Sequence, residues 1–424
     1  MTETILATPG QREREALALK ILASQPMQDA LARVRKLYAD HDLGKTAAGK
    51  ASIERASSHF AMTAALFATI EDSDNPYLLW STCAEHQWMG LDVPGSGYGL
   101  DNPDNIYRMA QVDGGVRYEI KGQVIGKAPQ QHTLVLFRSI PGITQAMNEK
   151  GTMAELSGTS SDTLEIAPDG SFTITIDSTP ADGRPNHITT PADMKGLHLL
   201  GRDSMSDWSV ERPVRLDIRR LDPPSGPGLG DEAALAKRAA EMLDMITPYW
   251  LAWVVSHVYA RPVNEVPQPW LRVTGWGCTQ QGNFKLGADE AWVVTLDAIG
   301  ARYFNFQLCD PWSVARNYVT KQSSLTGDQA DRNADGTYTL VISAKDPGVH
   351  NWLDTDGIDA GTYQVRWQGL PKGTTSTDGT VRSAKIVKLA DLKSVLPPET
   401  RHLTHHERKA QLAQRAKDYA NRVA

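Results

Sequence analysis

Cysteine is scarce in this chain. Cys83, Cys278 and Cys309 are the three cysteines among 424 residues, and they lie far apart in the sequence. A disulfide framework or a structural zinc site needs more cysteines at closer spacings. A chain of this length can bury a sizeable hydrophobic core without such links, so we expect neither disulfides nor a metal ion.

Long apolar runs are also lacking. The longest, YWLAWVVSHVYA at residues 249–260, contains His257 and reaches about half of the ~20 residues that a membrane helix needs. Residues 1–20 carry acidic and basic side chains where an export signal would have an apolar run. We therefore expect no membrane span, no signal peptide and a cytoplasmic location.

A strong charge of either sign is absent. Lys and Arg total 44 against 50 Asp and Glu, which gives a net charge of −6, and only the last turns of the chain are rich in basic residues. This balance argues against nucleic acid as a partner. The apolar fraction of 41% and the charged fraction of 22% are typical of globular proteins and exclude wholesale disorder.

The familiar catalytic and cofactor motifs are missing as well. The sequence has no GxxxxGK[ST] phosphate loop, no GxGxxG after a strand, no GxSxG elbow and no HExxH pair. His405, His406 and Glu407 form the nearest cluster of histidine and acid, and a solvated helix face explains it better than a metal ion does. We therefore expect that the protein uses no cofactor.

Hydrophobic periodicity divides the chain into five segments. Apolar residues at helical spacing indicate helices within 11–39, where Pro26 opens a second helix, within 52–71, and more weakly within 76–90. After residue 90 the pattern changes to short alternating runs with Asp-Gly turns, which are typical of antiparallel hairpins. The predicted segments are a helical N-terminal segment at 1–90, a first β lobe at 91–221, a linker and helical insertion at 222–265, a second β lobe at 266–397 and a C-terminal helix at 398–424.

The predicted fold class is therefore α+β and β-dominated, with antiparallel, jelly-roll-like β-sandwich lobes. Strands are expected at 116–122, 132–140, 163–167 and 171–177 in the first lobe and at 270–276, 291–297, 302–309, 338–344 and 362–369 in the second. The C-terminal helix is amphipathic. We expect it to turn Leu403, Leu412, Ala416 and Tyr419 toward protein, either another subunit of a homo-oligomer or an acidic surface of the same chain.

An internal repeat relates the two predicted lobes. The segment DGSFTI at 169–174 parallels DGTYTL at 335–340, and Asn186 and Arg202 then parallel Asn351 and Arg366. All three anchors lie about 165 residues apart, as expected for two copies of one unit. The alternative is that Asp-Gly hairpins recur by chance in β proteins.

Three segments combine polar and aromatic residues densely enough to be site candidates. In DNPDNIYR at 101–108, Asp and Asn beside Pro are typical of an entry turn, but Tyr107 and Arg108 could also project into a pocket as phenol donor and anion ligand. In DPGVHNWLDTDG at 346–357, His350 and Asp354 could form an acid–base pair, or the polar side chains could merely satisfy backbone amides around a buried Trp352.

The third segment contains His198, Arg202, Asp203 and Glu211. Because Arg202 matches Arg366 in the repeat, the two arginines could face one anionic group, or each could pair with a neighbouring carboxylate. Tryptophan is abundant in the second half of the chain, including Trp352 and Trp367. Most of these indoles belong in cores, and a subset could line a site for a bulky apolar molecule or a sugar.

These motifs carry a family resemblance. DNPDNIYR, DWSVERP at 207–213 and above all the stretch at 335–369, with its DPGxxNWLDTxG pattern, resemble a bacterial family known as a domain of unknown function. The resemblance covers about residues 80–395 and implies a β-rich, jelly-roll-like and often oligomeric protein. It implies no particular reaction.

Two classes of function follow. The first is a cofactor-independent lyase, hydratase or hydrolase that acts by acid–base chemistry on a bulky, mostly apolar molecule such as a terpenoid or steroid alcohol or ester. The second is a non-catalytic β-sandwich protein that binds carbohydrate or lipid. For the enzyme, one cavity is expected to combine catalytic residues with substrate-binding ones. The expected catalytic residues are His350, Asp354, Tyr107 and Arg366, and the expected substrate-binding residues are Trp352, Trp367, Arg202, His198 and Arg108.

Overall fold

The structure is a computed structural model that describes residues 4–143, 155–226, 228–272 and 277–423. It confirms the predicted class: antiparallel sheets dominate, helices form the N-terminal segment, and a long helix separates two sandwich-like lobes. Within the described part of the chain, none of the helices is long and apolar enough to cross a bilayer.

The helices begin and end at recognisable signals. Thr8 accepts a hydrogen bond from the Gln11 amide and caps the first helix, and Pro26 lies in the first turn of the second, as predicted. Helices α1–α6 span Pro9–Ala23, Gln25–Asp40, Asp42–Lys45, Ala47–Ala68, Glu232–Val254 and His405–Val423. A π-helical turn, Val255–Tyr259, extends α5, and a 3₁₀ helix spans Leu389–Ser394.

The first lobe contains a five-stranded and a four-stranded sheet. Its strands β1–β11 span Leu79–Ser81, His86–Trp88, Leu91–Val93, Asn105–Val112, Tyr118–Gln123, Gln131–Phe137, Glu155–Ser160, Ser171–Asp177, His187–Thr189, Leu197–Ser204 and Arg215–Arg220. The five-stranded sheet has the order β1-β4-β10-β6-β7 and the four-stranded sheet β11-β5-β8-β9, while β2 and β3 pair separately. All these pairings are antiparallel except β8 with β9.

The second lobe repeats this topology. Its strands β12–β20 span Trp270–Leu271, Gly277–Lys285, Glu290–Leu296, Tyr303–Cys309, Ser324–Thr326, Tyr338–Ser343, Trp352–Asp354, Ala360–Gln368 and Val381–Lys388. The sheet orders are β12-β13-β19-β15-β16 and β20-β14-β17-β18, and β17 with β18 is again the parallel pair. Every strand of one lobe except β2 and β3 thus has a counterpart in the other, which confirms the predicted repeat.

The anchors of the repeat have the same hydrogen bonds in both lobes. Asp169 accepts from the amide and hydroxyl of Ser171, and Asp335 accepts likewise from Thr337. The Asn186 side chain bonds both main-chain groups of Glu165 at 2.8 Å, and that of Asn351 bonds both groups of Asp331 at 2.7 Å. These side chains fix the turn and the parallel strand that follows it, which explains why the motifs recur.

Apolar side chains from both sheets of each lobe interdigitate as a sandwich core. Leu134 and Leu199 meet Ile120 and Ile174 in the first lobe, and the second has an equivalent core around Trp292 and Trp367. A third cluster joins helices α1, α2, α4 and α5 to the outer face of the first five-stranded sheet, and it also includes Trp312 near the second lobe. The five-stranded sheets are therefore buried on both faces.

Two strand and helix predictions are wrong, and a third is confirmed only in part. Residues 76–90 form β1 and β2 rather than a helix, because Leu79–Ser81 pairs with the edge of β4. Residues 163–167 form a turn, because their amides bond Ser160 and the Asn186 side chain instead of a neighbouring strand. Of the predicted strand 270–276, residues 270–271 form β12, and residues 273–276 lie outside the described part of the chain.

The C-terminal helix α6 packs on its own chain, so the expectation that it docks on another subunit is corrected. Tyr419 is buried against Trp208 and Tyr318. The other buried side chains of this helix are Arg408, Arg415 and Arg422, which are spaced by two helical turns and lie over the Trp352 and Trp208 rings. The predicted apolar face is therefore largely a face of arginines.

Candidate functional site

A cavity of about 910 Å³ lies where the two lobes and helix α5 meet. We call it the interlobe cavity. Side chains from β4, β6 and β10 of the first lobe line it together with side chains from β13 and β19 of the second, and α5 with its π-helical turn contributes an aromatic wall. Its lining from the two five-stranded sheets consists of Asn105, Tyr107, Met109, Gln131, Thr133, Phe137, Glu155, His198, Leu200, Arg202, Ser204, Trp270, Leu271, Thr279, Gln281, Gln364, Arg366 and Gln368.

Strand alternation decides which residues face the cavity. On β10, the lining residues are His198, Leu200, Arg202 and Ser204, which lie two apart, and the same spacing holds on β4 and β19. Tyr107 and Arg366 therefore line the cavity, as the sequence predicted, and so do the predicted substrate-binding residues His198 and Arg202.

Alternation also corrects two predictions. Arg108 follows Tyr107 and points to the other face, where it is bound by Asp203 and the Val214 carbonyl. Trp367 follows Arg366, lies in the sandwich core and donates to the Asp297 carbonyl at 2.9 Å. Neighbouring residues of a strand face opposite ways, so neither pair shares one pocket.

His350 and Asp354 do not line the interlobe cavity, so the expectation of one shared cavity is wrong for them. The His350 ring lies 3.1 Å from the Asn351 side chain and 3.3 Å from Asp331, near helix α6, and burial lowers its pKa. Asp354 accepts from the Asp356 amide at 2.8 Å, and burial raises its pKa. These polar groups hold a turn and the C-terminal helix.

Trp352 is corrected for the same reason. It is 5% exposed, donates to the Ser343 carbonyl at 3.0 Å and lies beneath the Arg408 guanidinium, 4.9 Å from the ring centroid. The density of titratable groups in DPGVHNWLDTDG therefore reflects the docking of α6 and the fixing of the β17–β18 turn. The alternative that these side chains satisfy backbone groups describes the segment better.

Helix α5 supplies the aromatic wall, which the sequence analysis missed. Trp250, Trp253 and His257 lie on one helical face, and the rings of Trp253 and His257 stack with centroids 5.5 Å apart. The π-helical turn carries His257, and such turns recur at functional sites. The spacing of 250, 253 and 257 within YWLAWVVSHVYA is the sequence signal that could have identified this wall.

The segment DNPDN at 101–105 joins the lobes at the edge of the cavity. Asp104 accepts from Tyr303 and Asn305 at 2.8 Å, and Asn102 donates to Tyr303 at 2.8 Å. Ser204 donates to Gln368 at 2.6 Å, and these two residues end equivalent strands of the two lobes. Contacts between equivalent positions are expected at a pseudo-twofold axis.

Burial shifts the pKa of several lining groups. It raises the pKa of Asp101, whose carboxylate accepts from the Ala315 amide at 2.9 Å, to about 7. Burial, helped by Arg202, lowers the pKa of His198 to about 3, so this ring is neutral at pH 7. Burial, helped by Arg202 and Arg366, lowers the pKa of Arg272 to about 10. Asp101 is thus the lining group poised to exchange a proton near neutral pH.

The described residues contain no group of three or more His, Cys, Asp or Glu side chains arranged to hold a metal ion. No protein-family model and no curated protein matches the chain. The resemblance to a bacterial domain family therefore stays a prediction.

Solved structures do match. An uncharacterized protein from Burkholderia cenocepacia is 27% identical, with a TM-score of 0.69, and the match covers 88% of this chain and 99% of that one. The VPA0106 protein from Vibrio parahaemolyticus is 11% identical, with a TM-score of 0.41, over 68% of this chain and 89% of that one. The chain is thus similar in fold to the Burkholderia protein over nearly all of its length.

Proposed function

We propose that the protein binds a bulky, mostly apolar small molecule in the interlobe cavity. The observation that carries this proposal is the cavity itself: about 910 Å³, with an aromatic wall from α5 on one side and convergent polar side chains from two sheets on the other. Cavities of a few hundred to about 1,000 Å³ with this mixed lining are the usual form of small-molecule sites.

The placement of the aromatic rings supports this proposal over a carbohydrate-binding surface. Trp250 is buried, and its ring meets those of Tyr98 and Trp253 edge to face along the wall of a concave site. A surface that stacks on sugars would instead present aromatic rings as an open, flat strip. Lipid-like or polycyclic molecules therefore fit the cavity better than saccharides do.

A screen of ligands by thermal shift tests the proposal. Molecules with bulky apolar bodies should raise the melting temperature of the wild type, because binding to the folded state alone stabilises it. Leu200→Trp should project a larger ring into the cavity and reduce these shifts, whereas Ile166→Trp, at an exposed position, should leave them unchanged. Equal shifts in Leu200→Trp and the wild type would contradict the proposal.

A second candidate is an enzyme that acts on the same molecule by acid–base chemistry, and Asp101 favours it. Asp101 lines the cavity with a pKa of about 7, and the Tyr107 hydroxyl, which accepts from the Asn102 amide at 3.2 Å, lines the same cavity. These two residues would replace His350 and Asp354 in the expected lyase, hydratase or hydrolase.

The catalytic candidate has its own test. Once a ligand is found that the protein converts, Asp101→Asn should lower the turnover rate by about 10²–10⁴-fold, as is usual for loss of a general acid or base. His350→Ala should leave the rate within a few-fold of the wild type. An Asp101→Asn protein as active as the wild type would show that Asp101 is not the acid–base group. The cytoplasmic location and the homo-oligomeric state stay predictions from the sequence.

A further inference from the structure

Arg202 and Arg366 occupy equivalent positions in the two lobes. On β10, Arg202 lies opposite Tyr107 and Thr133 of the flanking strands, and on β19, Arg366 lies opposite Thr279 and Asn305. Each arginine is the third residue from the end of the central strand of a five-stranded sheet. Both arginines line the interlobe cavity, so the surroundings of Arg202 can be compared directly with those of Arg366.

The two guanidinium groups differ in what holds them. Arg366 donates to the side chains of Gln307 and Gln364 and to the Leu100 carbonyl. Its guanidinium group is therefore hydrogen-bonded within the protein. Arg202 makes no hydrogen bond to any described residue, and its Nη1 atom is buried without a partner. A buried, unpaired guanidinium N–H is costly unless another group accepts from it.

The charges around Arg202 do not balance it. Among the described lining residues the acidic ones are Asp101 and Glu155, against Arg202, Arg261, Arg272 and Arg366. Asp101 is partly protonated at neutral pH because burial raises its pKa to about 7. The cavity lining therefore has an excess of positive charge, which favours an anion.

Apolar groups surround the same guanidinium. The Phe137 ring centroid lies 5.9 Å from the Arg202 guanidinium carbon, and Leu200 and His198, which is neutral, share its face of β10. The cavity of about 910 Å³ is far larger than a lone inorganic anion needs. One molecule could therefore contact both the cation and the aromatic wall.

We propose that the ligand of the interlobe cavity is an amphipathic carboxylate, an apolar body with one carboxylate group, and that the Arg202 guanidinium binds this group. The planar fork of arginine suits a carboxylate because two parallel N–H···O bonds form at once. The inference rests on the proposed function and narrows the class of molecule that the cavity binds.

Matched probes test it by isothermal titration calorimetry at pH 6.5, where the free acids are ionised and Asp101, with a pKa of about 7, is largely protonated. The pairs are decanoate with decanamide and 1-naphthaleneacetate with 1-naphthaleneacetamide, which differ within each pair in charge rather than shape. The wild type should bind the carboxylate of at least one pair about 10- to 100-fold more tightly than its amide, the range expected for charged hydrogen bonds. In Arg202→Gln the preference should fall below about 3-fold while amide affinity is kept.

Controls make each outcome decisive. Arg219→Gln, at a side chain that is 59% exposed on the first lobe, should behave as the wild type. If Arg202→Gln does not fold, Arg202→Lys replaces it and should lower the preference, because a lysine offers a point charge without the fork. Equal binding of carboxylate and amide by the wild type, or a full preference in Arg202→Gln, would overturn this inference alone. Binding of no probe in either pair would overturn the proposed function with it.

Discussion

At the scale of single residues, the two equivalent arginines should affect stability differently. Removing Arg366 leaves the Gln307 and Gln364 side-chain oxygens without their donor, and the Leu100 carbonyl keeps only the long contact of 3.4 Å from the Gln307 amide. A buried acceptor that loses its donor costs roughly 1–3 kcal/mol of stability. We therefore expect Arg366→Met to lower the free energy of unfolding by about 3 kcal/mol or more.

Arg202→Met should lower the free energy of unfolding by less than about 1 kcal/mol, or raise it, because this change removes a buried guanidinium N–H that no described residue accepts from and leaves no described acceptor without its donor. Urea unfolding of both variants and the wild type measures the difference. An equal loss in the two variants would mean that Arg202 is as firmly bound within the protein as Arg366.

Asp101 should make stability depend on pH. Its pKa is about 7 in the folded protein and near 3.8 when unfolded, so between these values the folded state binds the extra proton. Stability from this group is therefore present at low pH and falls as pH rises toward 7. Asp101→Asn removes this dependence. The free energy of unfolding of the variant minus that of the wild type should therefore be about 2 kcal/mol larger at pH 8 than at pH 5.

Urea unfolding of Asp101→Asn and the wild type at both pH values checks this prediction. Comparing the two proteins cancels the contributions of all other carboxylates, many of which titrate in the opposite sense. A relative stability that does not change between pH 5 and pH 8, or that changes in favour of the wild type, would show that Asp101 is ionised in the folded protein at both values.

Part of the site could be predicted from the sequence at this scale. The repeat paired Arg202 with Arg366, and both line the cavity with Tyr107 and His198. Two of the errors have one cause: nearness in sequence was taken for a shared direction. Tyr107 with Arg108 and Arg366 with Trp367 are neighbours on strands, and alternation sends each pair to opposite faces. His350 and Asp354 depend on where α6 packs, which no local pattern encodes.

At the scale of secondary-structure elements, helix α6 is held by its arginines rather than by an apolar stripe. Arg415 donates to the Tyr318 carbonyl at 2.7 Å and to Ser324 at 2.8 Å, and its guanidinium lies 4.4 Å from the Trp208 ring centroid. Hydrophobic periodicity finds the helix but misses these contacts, because arginine counts as polar although its stem and planar head pack well.

Arg415→Ala should therefore lower the free energy of unfolding by about 2–4 kcal/mol, since it removes several buried hydrogen bonds and a cation–π contact. Lys417→Ala, two residues away on the exposed side of α6, should change it by less than about 0.5 kcal/mol. Thermal or urea unfolding measures both. An Arg415→Ala protein as stable as Lys417→Ala would contradict the observed docking of the helix.

Removing residues 404–424 should lower the melting temperature and leave the mass in solution unchanged, because α6 packs on its own chain. Light scattering before and after the truncation measures this mass. A smaller particle mass after truncation than expected from the removed residues alone would show instead that α6 holds two subunits together.

At the scale of the whole molecule, the fold is a duplicated sandwich with a cavity between the copies. Turn motifs and strand alternation predicted the lobes and their repeat, since these are local signals. The sequence did not reveal that the two five-stranded sheets would line one cavity or that α5 would supply its aromatic wall. Such features arise from how the lobes and helices pack together. The two copies differ at one equivalent position: Arg366 donates to neighbouring acceptors, whereas Arg202 makes no hydrogen bond to any described residue.

A crystal structure with the tightest-binding carboxylate probe tests the central claim most directly. The probe should lie in the interlobe cavity, with its carboxylate within hydrogen-bond distance of the Arg202 guanidinium and its apolar body against Phe137 or Trp253. A probe bound elsewhere, such as the smaller cavity of about 260 Å³ beside Thr8 and Arg108, with the interlobe cavity left to water, would contradict it.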